Sequence, residues 1–328
     1  AQTVADLVEA EQLPSVDVRA VELDDSYRKG VDLCKSGDHR SGMAYLVAVQ
    51  DAAPDSPSGR LLRQKATLSL AIAARDSGRH RSAERLLGEL LCAPPDPSLL
   101  VPALVTMASI WQANGSVEAA LAFTRQAECH VKPEDRQEWA WTRHQAAKVL
   151  FFGGRVAEAL AAIDEAREAY RSLSDTHGES RAGVLRARIL EAIGRVDDAL
   201  AQSAEARAFA EAHGHGLPAA LAAVHEGRLL AALNRPREAI APLAAAAAAA
   251  VAQENRSVEF LARYHLWRVW TALEEPRRAQ LELDAAKYLV QLVDERSPEA
   301  EAIRTLSKEG NARVRPQRER RRATPRRR

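Results

Sequence analysis

Apolar residues recur along this chain at fixed distances from a set of turn residues spaced about forty apart. The set is Gly37, Gly78, Gly115, Gly154, Gly194, Asn234 and Glu274, at intervals of 41, 37, 39, 40, 40 and 40 residues. Five positions after each stands a small residue: Gly42, Ala83, Ala120, Ala159, Ala199, Ala239 or Ala279. Seven positions before stands Gly30, Ala71, Ala108, Ala147, Ala187, Gly227 or, out of pattern, Trp267. A mostly larger apolar residue lies four before (Leu33, Ala74, Trp111, Leu150, Leu190, Leu230, Trp270). Twelve after comes Val49, Leu90 or one of five alanines. Small residues let two helices approach closely, and larger ones fill the space beside them. Gly and Asn tolerate the positive φ that ends a helix. The pattern predicts seven helix–turn–helix units across residues 24–290.

The two ends depart from the pattern. Residues 1–23 read as a capping helix (Val4, Leu7, Val8) broken by Pro14, followed by a linker. Ser297-Pro298-Glu299 is a helix start, with a cap residue and Pro in the first turn, so residues 291–310 hold a second capping helix. Stacked repeats need such caps, because the outer face of a terminal unit meets water.

Composition turns this pattern into a charge map. Of the 328 residues 46% are hydrophobic and only 5% aromatic, so alanine and leucine carry the core. The net charge of +1 conceals two parts: residues 311–328 hold nine arginines against Glu319, a charge of +8, which leaves residues 1–310 at −7. That tail is too charged to pack and is expected to be disordered. Cys34, Cys92 and Cys129 are far apart in no metal-like or disulfide-like spacing, which suits a reducing compartment. No charged n-region and apolar h-region open the sequence, and the apolar run from Ala239 to Ala252 is too short to span a bilayer. A cytoplasmic location follows as the expectation.

Small residues at positions 8, 20 and 27, a large one at 11 and a turn at 15 resemble the tetratricopeptide repeat (TPR) in a form of about forty residues. Long repeats of this kind are similar to those of bacterial signalling and transcription regulators and of kinesin light chains. The resemblance implies an all-α, right-handed superhelical solenoid whose concave groove is lined by the first helix of each unit. It also implies a protein–protein interaction scaffold or adaptor.

In such a groove, position 9 reads Val31, Ile72, Ser109, Lys148, Arg188, Arg228 and Arg268. Four successive cations point to an acidic peptide, a chain carboxylate or a phosphate, since the arginine fork matches such oxyanions. The same cations can instead pair with acids of neighbouring helices, Glu191 or Glu226. Trp141, His144, Phe151 and Phe152 add an aromatic cluster beside Lys148, and Tyr264 adds a ring near Arg268. Buried aromatic anchors are the usual hot spots of an interface, although Phe151 and Phe152 can also pack between helices. The carboxylate clamp of chaperone-tail receptors, Lys at position 5 with Asn at position 9, is missing. Groove asparagines, which grip the ligand backbone in peptide-pheromone receptors, are missing too.

Catalytic chemistry is not signalled. The sequence has no Gly-rich phosphate loop, no Gly-x-Ser-x-Gly elbow and no His-Glu-x-x-His pair, so neither an enzyme nor a cofactor is expected. His213-Gly214-His215-Gly216 is the one histidine cluster, in a predicted loop where solvated histidines are ordinary. Arg320, Arg321, Arg322, Arg326, Arg327 and Arg328 of the tail offer a second partner, a phosphate backbone held through counterion release. No aromatics interleave them, so such contact with nucleic acid is non-specific. Two functions remain: a scaffold that binds an acidic protein segment in its groove, or a regulator that contacts nucleic acid through its tail while the repeats sense or assemble.

Overall fold

The computed structural model describes Val4, Leu7, residues 13–14, 16, 22–35, 38–93, 95–132, 134–253, 255–292 and 297–307. These residues form helices and turns, with no strand among them. They fall into two compact units, Ala1–Leu173 and Ser174–Arg328. The boundary lies between the predicted fourth and fifth repeats, where the forty-residue phase runs on without a break. The Arg-rich tail and most of the predicted N-terminal cap lie outside the described residues.

The first unit holds four helix pairs: α1 (Leu23–Lys35) with α2 (His39–Ala52), α3 (Pro57–Asp76) with α4 (His80–Cys92), α5 (Pro97–Ala113) with α6 (Val117–His130), and α7 (Arg136–Phe152) with α8 (Val156–Ser172). The second holds three pairs: α9 (Thr176–Ala192) with α10 (Val196–Ala212), α11 (Gly216–Ala232) with α12 (Pro236–Ala252), and α13 (Arg256–Ala272) with α14 (Pro276–Leu289). A last helix, α15, spans 298–307.

Each described turn residue takes positive φ, from 57° at Glu274 to 88° at Gly194. The chain then closes a six-residue loop in which the next N–H donates to the carbonyl five residues earlier. Arg79→Ala74, Ser116→Trp111, Arg155→Leu150, Arg195→Leu190, Arg235→Leu230 and Glu275→Trp270 all measure 2.7–3.0 Å. This is the Schellman arrangement, which satisfies carbonyls that the helix end leaves unpaired. The larger apolar column therefore does two jobs, filling space with its side chain and accepting the turn with its carbonyl. Most first helices start on a side-chain cap: Ser56, Asp96, Asp135, Asp175 and Asn255 accept from backbone N–H groups two or three residues on.

The small columns are the tightest contacts. Ala71, Ala83, Ala108, Ala120, Ala147, Ala159, Ala199 and Ala239 are fully enclosed. A Cβ on Gly42 would stand 2.7 Å from the Gly30 carbonyl oxygen and 2.9 Å from the Cys34 nitrogen, so α1 and α2 touch backbone to backbone. Around these contacts the first unit packs Met43, Leu46, Leu70, Leu86, Leu87 and Ile110, and Val4 and Leu7 join the same core. The second unit packs mainly alanine, with Leu230, Leu243 and Leu266 among Ala220, Ala223, Ala246, Ala247, Ala250 and Ala262. Its end is closed by α15, whose Ala300 and Ile303 meet Phe260, Tyr264, Leu289 and Val290. Ser297 caps that helix, its Oγ accepting from Ala300 N–H at 3.2 Å. Trp267, the residue that breaks the small column, packs against this closing cluster. Among the described residues no helix is long and apolar enough to cross a membrane.

Candidate functional site

Repeat register places Arg188, Arg228 and Arg268 at the same position of α9, α11 and α13, the first helices of three successive pairs in the second unit. On each helix the flanking apolar residues face inward: Leu185 and Ile189 on α9, Val224 and Leu229 on α11, Tyr264 and Val269 on α13 are buried. The arginines are left on the other side, Arg188 and Arg268 exposed and Arg228 half-buried.

One carboxylate organises this face. Glu191, one turn beyond Arg188, forms an ion pair with Arg228 and accepts from His225 Nε2–H at 2.9 Å. A carboxylate only accepts, so it fixes the Nε2–H tautomer. His225 Nδ1 meets Ser203 Oγ at 2.7 Å, and that hydroxyl also lies 2.7 Å from the Ala199 carbonyl. The hydrogen bond from His225, with the bond and charge of Arg228, holds the Glu191 pKa down to about 2. His225 itself is pushed down, first by burial and then by the positive charges of Arg228 and Arg188. His265 on α13 is buried too, and burial with the charges of Arg228 and Arg268 lowers it to about 3. Both imidazoles are therefore neutral at pH 7. Arg188 reaches solvent, yet enough protein surrounds it for desolvation, and then the Arg228 charge, to lower its pKa. Arg188, Arg228 and Arg268 thus stand in register on three successive first helices, with Glu191 pairing Arg228.

No protein-family model matches the chain, and no curated protein matches it. Solved structures do. It is similar to a tetratricopeptide repeat protein from Parabacteroides merdae, with TM-score 0.54 and 15% identity over 88% of this chain and 99% of that one. It is also similar to a Rap protein complexed with competence and sporulation factor, with TM-score 0.63 and 13% identity over 88% and 80%. The apo quorum sensor NprR from B. thuringiensis aligns with TM-score 0.60 and 12% identity over 88% and 82%.

The fold is TPR-like.

In the TPR-like repeats the other expected groove residues behave differently. Trp141 is half-buried against Val101, Leu104 and Val105. His144 is buried, its ring edge-on to Tyr170 with centroids 6.1 Å apart. Lys148 and Phe151 are half-buried, and Phe152 is 47% exposed with its ring against Phe151 at 5.4 Å. Tyr264 is buried, edge-on to Trp267 at 5.6 Å. His144 and Tyr264 thus spend their rings on the core and have little left to offer a partner. Of the two acids expected as internal partners, Glu191 does pair with Arg228. Glu226 does not: its carboxylate is held by Arg207 at 2.7 Å.

The buried histidines were missed, although the repeat register holds their signal. Position 6 reads Thr106, Gln145, His225 and His265 in four of the repeats, a polar column that the structure buries. In the His213–Gly216 loop, His215 Nε2 bonds Thr176 Oγ1 at 3.0 Å and its ring stands edge-on to His177 at 5.2 Å. Among the described residues no three His, Cys, Asp or Glu side chains are placed to hold a metal ion. The tail arginines lie outside the described residues.

Proposed function

We propose that the second TPR-like unit binds an acidic segment of another protein on its first-helix face, so that the chain acts as a non-enzymatic scaffold or adaptor. The observation that carries this reading is the register of the cations: Arg188, Arg228 and Arg268 share one position of three adjacent first helices, and Arg188 and Arg268 are exposed there. A row of guanidinium groups steers an anionic partner and holds carboxylates in fork geometry. A Rap protein of similar fold was solved in complex with competence and sporulation factor, which supports ligand binding by repeats of this kind. Free thiols at Cys34, Cys92 and Cys129 support a cytoplasmic setting.

Fluorescence anisotropy with a labelled decaglutamate peptide tests the proposal. The double variant Arg188→Glu/Arg268→Glu changes two exposed side chains, so circular dichroism should keep its helical signal while the affinity falls at least about tenfold. Unchanged affinity would overturn the assignment.

A further inference from the structure

The second helices of the pairs also present an outer face to water, and in the second unit that face is apolar. Two repeat columns seven residues apart read Ala201 and Ala208 on α10, Ala241 and Ala248 on α12, and Leu281 and Tyr288 on α14, all exposed. In the first unit the same columns hold the exposed charges Asp51, Arg85 and Glu168. Leu281 is 71% exposed and Tyr288 64%. On α12 every exposed residue after Glu238 is apolar, Ala244, Ala245 and Val251 among them. A continuous exposed apolar face marks an interaction site. Residues 311–328 offer it no cover, since Val314 is their one sizeable apolar side chain.

Charge decides what covers it. At the N-terminal ends of α10 and α14, equivalent positions eighty residues apart carry opposite signs: Arg195 against Glu275, Asp197 against Arg277, and Asp198 against Arg278. All six are exposed. Between these helices lies α12, because α10 and α12 both pack on α11, and α12 and α14 both pack on α13. A two-fold axis along α12 therefore lays α14 of a second copy over α10, in the same direction and at the same level. Each charge then faces its opposite. The same operation sets α14 of the first copy on α10 of the second, which is the isologous pairing of a dimer.

The apolar groups match under that operation too. Tyr288 of the second copy arrives at the level of Ala208 and Ala248. There an open cleft of about 250 Å³ runs between α10 and α12, lined by Ala210, Ala219, Ala223, Ala245 and Ala249. A cavity of about 150 Å³ holds benzene, so the cleft admits a phenol ring, and Glu211 in its lining is an acceptor for the hydroxyl. Three helices of this length side by side make a face of about 25 Å by 25 Å, about 600 Å² on each copy. The two copies together reach the total of about 1,200 Å² at which specific interfaces begin.

We propose that the second-helix face of the second unit binds a second copy of this chain. In that two-fold dimer α14 of each copy lies on α10 of the other, with Tyr288 in the alanine-lined cleft.

Sedimentation equilibrium of the full chain from about 1 to 100 µM tests this, with reductant present because Cys92 and Cys129 are exposed. The chain should be a dimer. Leu281→Glu/Tyr288→Glu should make it a monomer with unchanged circular dichroism, since both side chains stand in water in the single chain. Asp197→Arg and Arg277→Asp each set like charges face to face and should weaken the dimer at least about tenfold. The chain carrying both substitutions should recover it, because the pair is then opposite in sign again. A monomeric unsubstituted chain overturns the proposal, and so does a dimer that survives Leu281→Glu/Tyr288→Glu. Failure of the paired exchange to restore the dimer overturns the seating of α14 on α10.

Discussion

The two units carry one repeat signature and use it in opposite ways. In the first, position 9 of the first helices reads Val31, Ile72, Ser109 and Lys148, and Val31 and Ile72 pack against a core of leucine, methionine and isoleucine. In the second, the same position reads Arg188, Arg228 and Arg268 over a core built mostly of alanine. Burial of an alanine removes less apolar surface from water than burial of a leucine. Ion pairs also bridge the helices of the second unit, Arg228–Glu191, Arg207–Glu226 and Arg263–Glu282, and with a smaller apolar contribution from alanine their loss is expected to weigh more there. A register that specifies helix packing leaves the outward face free, and there the two units have diverged.

The strongest way to break this contrast is to remove one of those ion pairs. Glu226 is buried, and Arg207 holds it with Nε at 2.7 Å while also reaching Glu211 at 3.3 Å. Arg207→Leu leaves a buried carboxylate without its counter-charge, which should cost about 3–4 kcal/mol in urea denaturation. The double variant Arg207→Leu/Glu226→Leu should recover most of that loss. In the first unit, Arg143 bridges Glu128 at 2.6 Å and Glu165 at 2.8 Å, but Glu165 is about half exposed. Arg143→Leu should cost about 1 kcal/mol. Equal losses at the two sites would refute the contrast.

Close backbone contact gives the next largest effect, and here the order of the units reverses. A methyl on Gly42 meets backbone atoms at 2.7 and 2.9 Å, which do not move aside. A methyl on Gly227 meets chiefly the Leu243 side chain at 2.4 Å, with the Ala239 carbonyl at 3.2 Å. Gly42→Ala should therefore destabilise by about 3 kcal/mol and Gly227→Ala by about half as much, because a leucine can change rotamer. Thermal melts followed by circular dichroism rank the two.

Much of this was legible in the sequence for a physical reason. Helix packing allows only small residues at the columns of Gly42 and Gly227, and a Schellman turn needs positive φ at Gly154 or Gly194. Constraints of that kind recur every forty residues and print themselves on the chain. The site was only half legible. The cation column at position 9 could be seen, because Arg188, Arg228 and Arg268 repeat in register along the chain. That Glu191 takes Arg228, while Glu226 takes Arg207, depends on which helices face each other across 37 and 19 residues, and no local rule states that. The inward turn of His144 and Tyr264 was hidden for the same reason: an aromatic at a groove position can rotate into the core. The division after Leu173 leaves no mark at all, since the phase is continuous through it.

Acid should expose the second unit's dependence on its charges. His265 is held down to about 3 and Glu191 to about 2, so both are groups whose folded-state pKa is depressed. The unfolded chain takes up the histidine proton below about pH 6.5, while the folded chain resists until about 3. Stability from His265 is therefore full above pH 6.5 and is lost as pH falls toward 3. Glu191 adds a second loss between about 4.5 and 2. By pH 5 the His265 contribution should have fallen by about 2 kcal/mol. Urea melts at pH 7 and pH 5 measure this, and His265→Leu should flatten the difference. An unchanged difference in that variant would place the acid sensitivity elsewhere.

The smallest expected effect concerns the turns, where the units differ once more. Every described repeat turn of the first unit uses glycine at positive φ: Gly78, Gly115 and Gly154. The second unit has Gly194, then Asn234 at 59° and Glu274 at 57°. A side chain with a Cβ in the left-handed region costs about 1–2 kcal/mol, and asparagine tolerates it better than glutamate. Glycine loses that strain but adds about 0.5–1 kcal/mol of backbone entropy to the cost of folding. Glu274→Gly should thus stabilise the protein by about 0.5–1 kcal/mol, and Asn234→Gly by less. Gly194→Ala should move the other way by about 1 kcal/mol. The Glu275 N–H to Trp270 carbonyl bond of 3.0 Å closes this turn through backbone atoms alone, so the substitution leaves it intact. A loss of melting temperature in Glu274→Gly would show that the glutamate side chain contributes more than its backbone strain costs.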